Sequence, residues 1–456
     1  MENIVRMINA FLWGIPVLSL ILITGVYLTI TSKFAQIKLL PCAFRQLVRS
    51  MKGKLRQKSE VSGYRALCTA LAATVGTGNI AGVAGAIAIG GPGTIFWMWL
   101  CAIFGMITKL AEVTLAQRYR IRNRDGELVG GPMYIIQKAL PSKFSVLAYI
   151  YAFLGVVAAL GVGNATQVNA VVEGLKNMAF AMNIELSFRG ILIAGGILII
   201  FLLLAFHKGI HGVGTWAERM VPLASLSYIV MCFWALAISY KQVYPAVCLI
   251  IKGAFNPQSA TCGLVSSALL TLRVGASRGV FTNEAGMGTA SIAHAGATVD
   301  HPVEQGLMGI IEVFLDTILI CTLTALVILS SGVHIPYGTD PGIALTLDAF
   351  SLVLGKWSQV LLTGLVCIFA FATVLGWGVY GMRCAQFLLN ESAWKLFIVL
   401  QVFAAVMGII LNTSTVWMFS EVFNGLMSIP NLTALFILSP EFLKTLNEYQ
   451  EKKRTV

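Results

Sequence analysis

The sequence predicts an all-α polytopic membrane protein, and three observations carry that prediction. The 456 residues are 57% hydrophobic and only 11% charged, whereas a soluble domain carries about 25% charged residues. Mean hydropathy is +0.82. Many apolar segments reach the ~20 residues that a helix needs to cross a bilayer, and the short alternating strands of a membrane β-barrel are missing from the pattern. The net charge of +12 raises nucleic acid as a partner, but the placement of the charges argues for topology instead.

Eleven candidate spans lie near 11–31, 66–90, 94–117, 144–170, 188–206, 215–239, 264–294, 307–330, 358–388, 393–411 and 416–438. The first holds an apolar run longer than the roughly 7–15 residues of a signal-peptide core, and no small-residue cleavage site follows, so it reads as a span. The loop after it carries Lys33, Lys38, Arg45, Arg49, Lys52, Lys54, Arg56, Lys58 and Arg65; the loop after the third span carries Arg118, Arg120, Arg122 and Arg124; the tail carries EKKR. Lys and Arg mark the cytoplasmic side. Odd spans then run inward and even spans outward, with the N-terminus outside, the C-terminus cytoplasmic, and loops 241–261 and 332–357 external. The basic loop reads as topology and lipid-headgroup contact, not as a nucleic-acid site. The nine cysteines show no C-x-x-C and read as free buried thiols, with Cys248 and Cys262 able to meet outside.

The second span is interrupted. Residues 71–85, "LAATVGTGNIAGVAG", hold four Gly, two Thr and an Asn, although each Gly costs a helix interior roughly 1 kcal/mol relative to Ala. A dinucleotide loop is excluded, because its third glycine falls on Ala81 and the context is a membrane span. Close helix packing through Gly78-x-x-x-Gly82 is one reading. The other is a broken helix whose freed carbonyls and amides line a cavity. The seventh span repeats the pattern in "VGASRGVFTNEAGMGTASIAHAG", residues 274–296. Spans 2–6 and 7–11 are then two sets of five, each led by an interrupted helix. An odd number of spans per set forces opposite orientations, hence an inverted repeat with the ligand site where the two breaks meet. The expected organisation is an N-terminal helix and basic loop over 1–65, a first repeat over 66–261, a second over 262–440 and a tail over 441–456.

Four stretches carry a family resemblance: "ALAATVGTGNIAGVAGAIAIGGPGTIFWMW", "GGPMYII", "RGVFTNEAGMGTASIAHA" and "DHPVEQG". They resemble the alanine/glycine:cation symporter family, densely from about residue 66 to 330 and more loosely to 440. The resemblance implies eleven helices, the last ten in the leucine-transporter-type arrangement, and import of alanine or glycine with sodium. The residues alone give a secondary transporter with broken helices.

A small zwitterion needs its carboxylate met without a large pocket, and amides at half-helix N-termini do that. Thr77 and Gly78 on helix 2, and Gly275 and Gly279 on helix 7, are the expected sources. Asn79 offers a carbonyl to a cation and an amide to a carboxylate. On helix 4, "GVGNATQVNA" places Asn164 and Gln167 on one face; Gln167 is an expected substrate ligand, and Trp377 and Phe371 could wall the apolar side. Similarity of "GTGN" to the leucine-transporter-type motif places the carbonyls of Ala72 and Val75 at sodium, with the hydroxyl of Thr373 from helix 9. A span Thr otherwise bonds its own i−4 carbonyl.

On helix 8, Glu312 and Asp316 share a face; carboxylates there cost roughly 2.5–3.5 kcal/mol on insertion scales and are usually functional. Asp316 is the candidate coupling carboxylate, with Arg273 and Arg278 as available partners for the acidic pair. Glu284 reads as half of an ion pair. His207 and His211 lack a third metal ligand, no nucleophile–base cluster stands out, and no phosphate loop occurs. No cofactor beyond co-transported sodium is expected. The expected function is sodium-coupled import of small neutral amino acids by alternating access in a bacterial or archaeal plasma membrane. Proton coupling and a glutamine preference are the alternatives within that class; a channel or an intramembrane enzyme is the reading outside it.

Overall fold

Glycine and proline placement decides where each span starts, bends and stops. A computed structural model describes residues 7–9, 11–14, 16–52, 61–185, 187–207, 209–256, 267–410 and 413–454. Lys54, Arg56, Lys58 and Cys262 lie outside the described residues, as does the side chain of His211.

Helix α1 (Pro16–Thr31) leads through the short α2 (Ala35–Lys38) to α3 (Leu40–Lys52). Ser62 then caps α4 (Gly63–Thr74) by accepting from Arg65 N. After a break comes α5 (Ala81–Gly90), followed by the long α6 (Thr94–Arg118). A small antiparallel hairpin, β1 (Ile121–Arg122) and β2 (Leu128–Val129), precedes α7 (Pro132–Ala139), which starts on a proline that needs no N–H partner there. Next are α8 (Ser145–Leu160) and α9 (Thr166–Ala181), joined by a π turn over Gly161–Ala165. Helices α10 (Phe188–Phe206), α11 (Gly209–Ile238) and α12 (Tyr240–Phe255) complete the first half.

The second half opens with α13 (Ala268–Asn283) and α14 (Thr289–Ala295). Helices α15 (Pro302–Val313) and α16 (Thr322–Ser330) are joined by a π segment over Phe314–Cys321. Then follow α17 (Ala344–Leu354), α18 (Trp357–Leu388), α19 (Ala393–Ile410), α20 (Thr413–Ile437) and α21 (Ser439–Arg454). Among the described residues seven helices are long and apolar enough to cross a membrane, or nine if each of two bent pairs is one span.

Each repeat of five opens on a broken helix: α4 with α5, bent by 57°, and α13 with α14. Six helices fall where loops or a tail were expected: α2 and α3 follow the first span and α7 the third. Helix α12 lies in the expected loop 241–261, α17 in 332–357 and α21 in 441–456. Each is short or interspersed with Lys, Gln, Asp or Glu, which hides it from a search for spans. Helix α9 also runs past residue 170, because the π turn lets the span continue rather than end. Cys42, Cys248 and Cys367 are only half-buried, and the eight cysteines described are all free.

Helix α6 packs between α13 and α15, and α18 packs against α4, α8, α9 and α11. Gly376 lets α18 approach α4: an added Cβ there would lie 2.6 Å from the backbone N of Ala73. That contact fixes the position of the first break.

Candidate functional site at the two helix breaks

Helix α4 stops because Val75 and Gly76 turn extended, with φ/ψ of −78°/97° and −148°/−153°. The chain then makes a 3₁₀ turn over Thr77–Asn79 before α5. Gly76 N–H donates to Asn79 Oδ1 (2.9 Å) instead of to the Ala72 carbonyl four residues back. Asn79 N–H donates to the Gly76 carbonyl at 3.3 Å instead of to Val75. The carbonyls of Ala72 and Val75 thereby lose their helical partners. Thr373 presents a buried hydroxyl with no hydrogen-bond partner among the described residues, and an added Cβ on Gly76 would lie 2.5 Å from that oxygen. This threonine does not bond back along its own helix. The break thus gathers two released carbonyls and one unused hydroxyl, a set of oxygens suited to a hard cation.

Side-chain hydrogen bonds tie the break to two other spans. Thr77 Oγ1 donates to Gln167 Oε1 at 2.9 Å, and Gln167 Nε2 donates to the Val162 carbonyl in the π turn at 3.1 Å. Asn79 Nδ2 donates to Asp316 Oδ1 at 2.6 Å and to the Asp316 carbonyl at 3.2 Å. Asp316 lies in the π segment and also accepts from Thr317 Oγ1 (2.7 Å). Trp377 is fully buried, packs its Cβ on Gly163 and meets Tyr380 edge to face at 5.7 Å. The structure therefore brings Ala72, Val75, Thr77, Gly78, Asn79, Gln167, Thr373 and Asp316 to one place. Phe371 points elsewhere, edge-on to Trp216 (6.0 Å) and Phe201 (6.4 Å). Asn164 pairs with Gln401 and serves as a bond between helices.

The second break lies elsewhere than at the glycines expected to make it. Gly275 and Gly279 sit inside continuous α13. An added Cβ on Gly275 would meet the Thr94 carbonyl and lie 2.8 Å from Trp97 Cβ; one on Gly279 would lie 3.4 Å from Cys101 Cβ. These glycines bring α13 close to α6. The interruption spans Glu284–Gly288, where Glu284, Gly286 and Gly288 take φ of 54°, 93° and 77°. The glycine conformation is needed at the latter two. Glu112 of α6 fills this break. Its Oε1 accepts from Gly286 N–H (2.9 Å), Gly288 N–H (3.1 Å) and Asn431 Nδ2 (2.7 Å). Among the described residues Glu284 forms no ion pair; its carboxylate accepts from Thr289 Oγ1 at 2.5 Å across the break.

Glu312 has partners other than the arginines expected. Lys109 Nζ lies 3.1 Å from its Oε1 and His294 Nε2 lies 3.2 Å from its Oε2, all three fully buried. Gln305 shares a hydrogen bond with His294 Nδ1 (2.6 Å) and donates to the Gly63 carbonyl at the start of α4 (3.2 Å). Arg278 instead bridges Glu421 (3.1 Å) and Asp340 (3.4 Å). These two carboxylates take up Arg278, which explains the mismatch.

The whole chain, residues 1–456, matches the family model described as the sodium:alanine symporter family. The chain belongs to that family. Sodium/alanine symporter AgcS of Methanococcus maripaludis is 39% identical over 456 residues, covering 99% of this chain and 98% of that protein. The probable sodium/glutamine symporter GlnT of Bacillus subtilis is 37% identical over 458 residues, covering 100% and 92%. Among solved structures, MhsT in complex with L-phenylalanine superposes with a TM-score of 0.57 at 16% identity, over 85% of this chain and 98% of that one. At that identity the likeness shows the fold, which is of the leucine-transporter type. This member of the family is a membrane transporter, not an enzyme.

Lys109 and Glu112 escaped the sequence reading although their signal was present: "TKLAEV" sets two charges three residues apart inside the third span, and charge in a span marks function or structure of consequence. Asn431, one of two asparagines in α20, gave no such signal. Cavities lie on both sides of the breaks, the one opposite the Arg-rich loops being about 270 Å³ and lined by Trp13, Arg273, Arg278 and Glu421. On the side of the Arg-rich loops a cavity of about 370 Å³ is lined by Arg65, Thr69, Arg120, Glu127, Ala293 and Arg383. Arg383–Glu127 and Arg65–Glu218, each at 2.8 Å, span its rim. On the opposite side Arg278 ties α13 to Asp340 and Glu421, and Gly338 N–H donates to the Ala88 carbonyl (3.0 Å), so the loop after α16 lies over the end of α5. Among the described residues no group of three or more His, Cys, Asp or Glu is placed to hold a metal.

Proposed function

We propose that this transporter imports small neutral amino acids, alanine and glycine, together with sodium, by alternating access. One observation carries the reading most: the unpartnered Thr373 hydroxyl lies against Gly76, at the α4–α5 break where the Ala72 and Val75 carbonyls are released. Sodium is the cargo we assign to Ala72, Val75 and Thr373. The amino acid is assigned to the neighbouring space, with its carboxylate on the backbone at Thr77 and Gly78 and its polar groups toward Gln167. Gly275 and Gly279 have no part in it, since they pack on α6. Phe281 and Thr282 stand 3.8 and 3.5 Å from where a Cβ on Gly78 would be. Walls that near favour a methyl group or hydrogen over a larger side chain. Trp377 supports the wall from behind through the π turn.

Asp316 is assigned the role of linking helix 8 to the cation-dependent shape of the break through Asn79. The Arg278 ion pairs on one side and the cavity of about 370 Å³ on the other support a cycle in which ligands leave toward the Arg-rich, cytoplasmic face. The coupling is reciprocal: if sodium tightens alanine, alanine tightens sodium by the same factor. The name of the AgcS relative supports alanine. The GlnT relative, at similar identity, favours a glutamine-preferring reading as the second choice.

The test is uptake of radiolabelled alanine into proteoliposomes under an inward sodium gradient, an inward proton gradient, or neither. Accumulation above equilibrium with sodium alone is the expected result. Accumulation with protons alone would move coupling to Asp316. Failure to accumulate alanine, with glutamine accumulated instead, would establish the second choice.

A further inference from the structure

Helix α3 has three distinct faces. At 100° per residue, Ala43, Leu47 and Ser50 share one stripe, packed against the protein; Phe44, Val48 and Met51 form the next; Arg45, Arg49 and Lys52 form the third. Phe44, Val48 and Met51 are 37%, 50% and 57% exposed, and the three basic side chains are exposed as well. The short α2 before it adds exposed Ile37 beside Lys38, and Phe34 beside Lys33. A protein face, an apolar face and a basic face in that order suit a helix lying in the plane of a membrane surface.

The packed stripe, with Phe44 at its edge, leads to the transport machinery. Helix α3 lies along α15, and the Phe44 ring meets Phe314 edge to face at 5.4 Å. Phe314 opens the π segment that carries Asp316. Ser50 Oγ lies 3.5 Å from where a Cβ on Gly63 would be, and Gly63 is the first residue of α4. The same surface helix thus touches the helix of Asp316 and the start of the half-helix that ends at the break.

We propose that α3 sits in the headgroup layer of one leaflet, binds anionic phospholipid through Arg45, Arg49 and Lys52, and passes the charge of that leaflet to the rate of transport. The binding part stands on the helix alone; the rate part rests on the transport reading above. The partner is a phospholipid surface, because a soluble acidic protein would leave the Phe44, Val48 and Met51 stripe in water beside the spans. Each basic residue at such a surface strengthens attraction about fivefold.

Two measurements test this on the full chain. In the first, native mass spectrometry compares retained phosphatidylglycerol with retained phosphatidylcholine for the wild type, R45Q/R49Q/K52Q and R45K/R49K. In the second, sodium-driven alanine uptake is measured in phosphatidylcholine liposomes with increasing phosphatidylglycerol. The expected result is preferential retention of phosphatidylglycerol by the wild type and the lysine variant, weakened about fivefold per charge removed in the glutamine variant. Uptake should rise with phosphatidylglycerol in the first two and stay flat in the third. Equal retention by all three would overturn the proposal. So would a glutamine variant that loses uptake in every lipid while retaining phosphatidylglycerol, since that describes a structural role. If no protein takes up alanine, the transport reading fails and the retention measurement alone decides the binding.

Discussion

The two helix breaks look alike in sequence and differ in what fills them. At the α4–α5 break the backbone is opened by Asn79, and an unused Thr373 hydroxyl faces the gap. At the α13–α14 break the amides of Gly286 and Gly288 are already taken by the carboxylate of Glu112, with Asn431 closing the set. Half-helix N-termini attract anions, and here one of the two has been supplied with an anion by its own chain. On the proposed reading the first break is left for ligands, and the second, braced by an internal carboxylate, acts as a hinge. A symmetric reading, with one half of the site on each break, does not follow from an inverted repeat alone.

The largest expected effect comes from breaking that internal filling. Glu112→Ala leaves two amides and the Asn431 side chain buried without their acceptor, and removal of one partner from a buried charged set costs about 3–5 kcal/mol. Loss of folded protein, read as a lowered unfolding temperature in detergent, is the expected outcome. Glu112→Gln keeps an acceptor oxygen and so separates hinge from ligand site. Turnover should fall roughly tenfold or more while the KM for alanine stays nearly constant, the pattern of a lost transition-state interaction. A raised KM with unchanged turnover would put substrate on the second break and end the contrast.

Asn79→Ala attacks the other side of the comparison. It removes the acceptor for Gly76 N–H and the donor to Asp316, and hydrogen bonds to charged groups contribute about 1.5–3 kcal/mol each. Sodium and alanine KM values should both rise, because Asn79 shapes the break to which both are assigned. A rise in one alone would show that Asn79 serves only that ligand. Thr373→Ala is expected to be gentler: one neutral ligand oxygen is lost, about 0.5–1.5 kcal/mol, so sodium dependence shifts several-fold and Thr373→Ser restores it. Sodium dependence unmoved by Thr373→Ala would remove the hydroxyl from the cation site.

The first break was legible because Gly, Thr and Asn in an apolar run have few uses other than to open a helix. The second was legible in existence but not in position. Gly275 and Gly279 have the spacing of an interruption, yet close packing on α6 uses the same residue for a different reason, and only the left-handed backbone at Glu284, Gly286 and Gly288 separates the two uses. Partners across helices were not legible. Glu312 was matched to arginines by sequence proximity, whereas the cation that reaches it, Lys109, comes from a helix that packs alongside. The filling of the second break by Glu112 needs α6, α14 and α20 brought together, which no single stretch of sequence encodes.

The smallest expected effect lies outside both breaks and sharpens the contrast by showing which side moves. Arg383 on α18 pairs with Glu127 of the hairpin at 2.8 Å, and Glu127 is 31% exposed. A pair this close to water contributes roughly 0.2–1 kcal/mol, so Arg383→Gln should leave stability almost unchanged. If the rim pair holds the cavity narrow while ligands are bound, its loss should favour the state open toward that face. Exchange of internal for external alanine would then change by a few-fold at most, with sodium KM constant, because nothing at the α4–α5 break is touched. A sodium KM that moved with Arg383 would mean that the rim and the first break act as one unit, and the division into a ligand-binding break and a braced hinge would have to include the cavity between them.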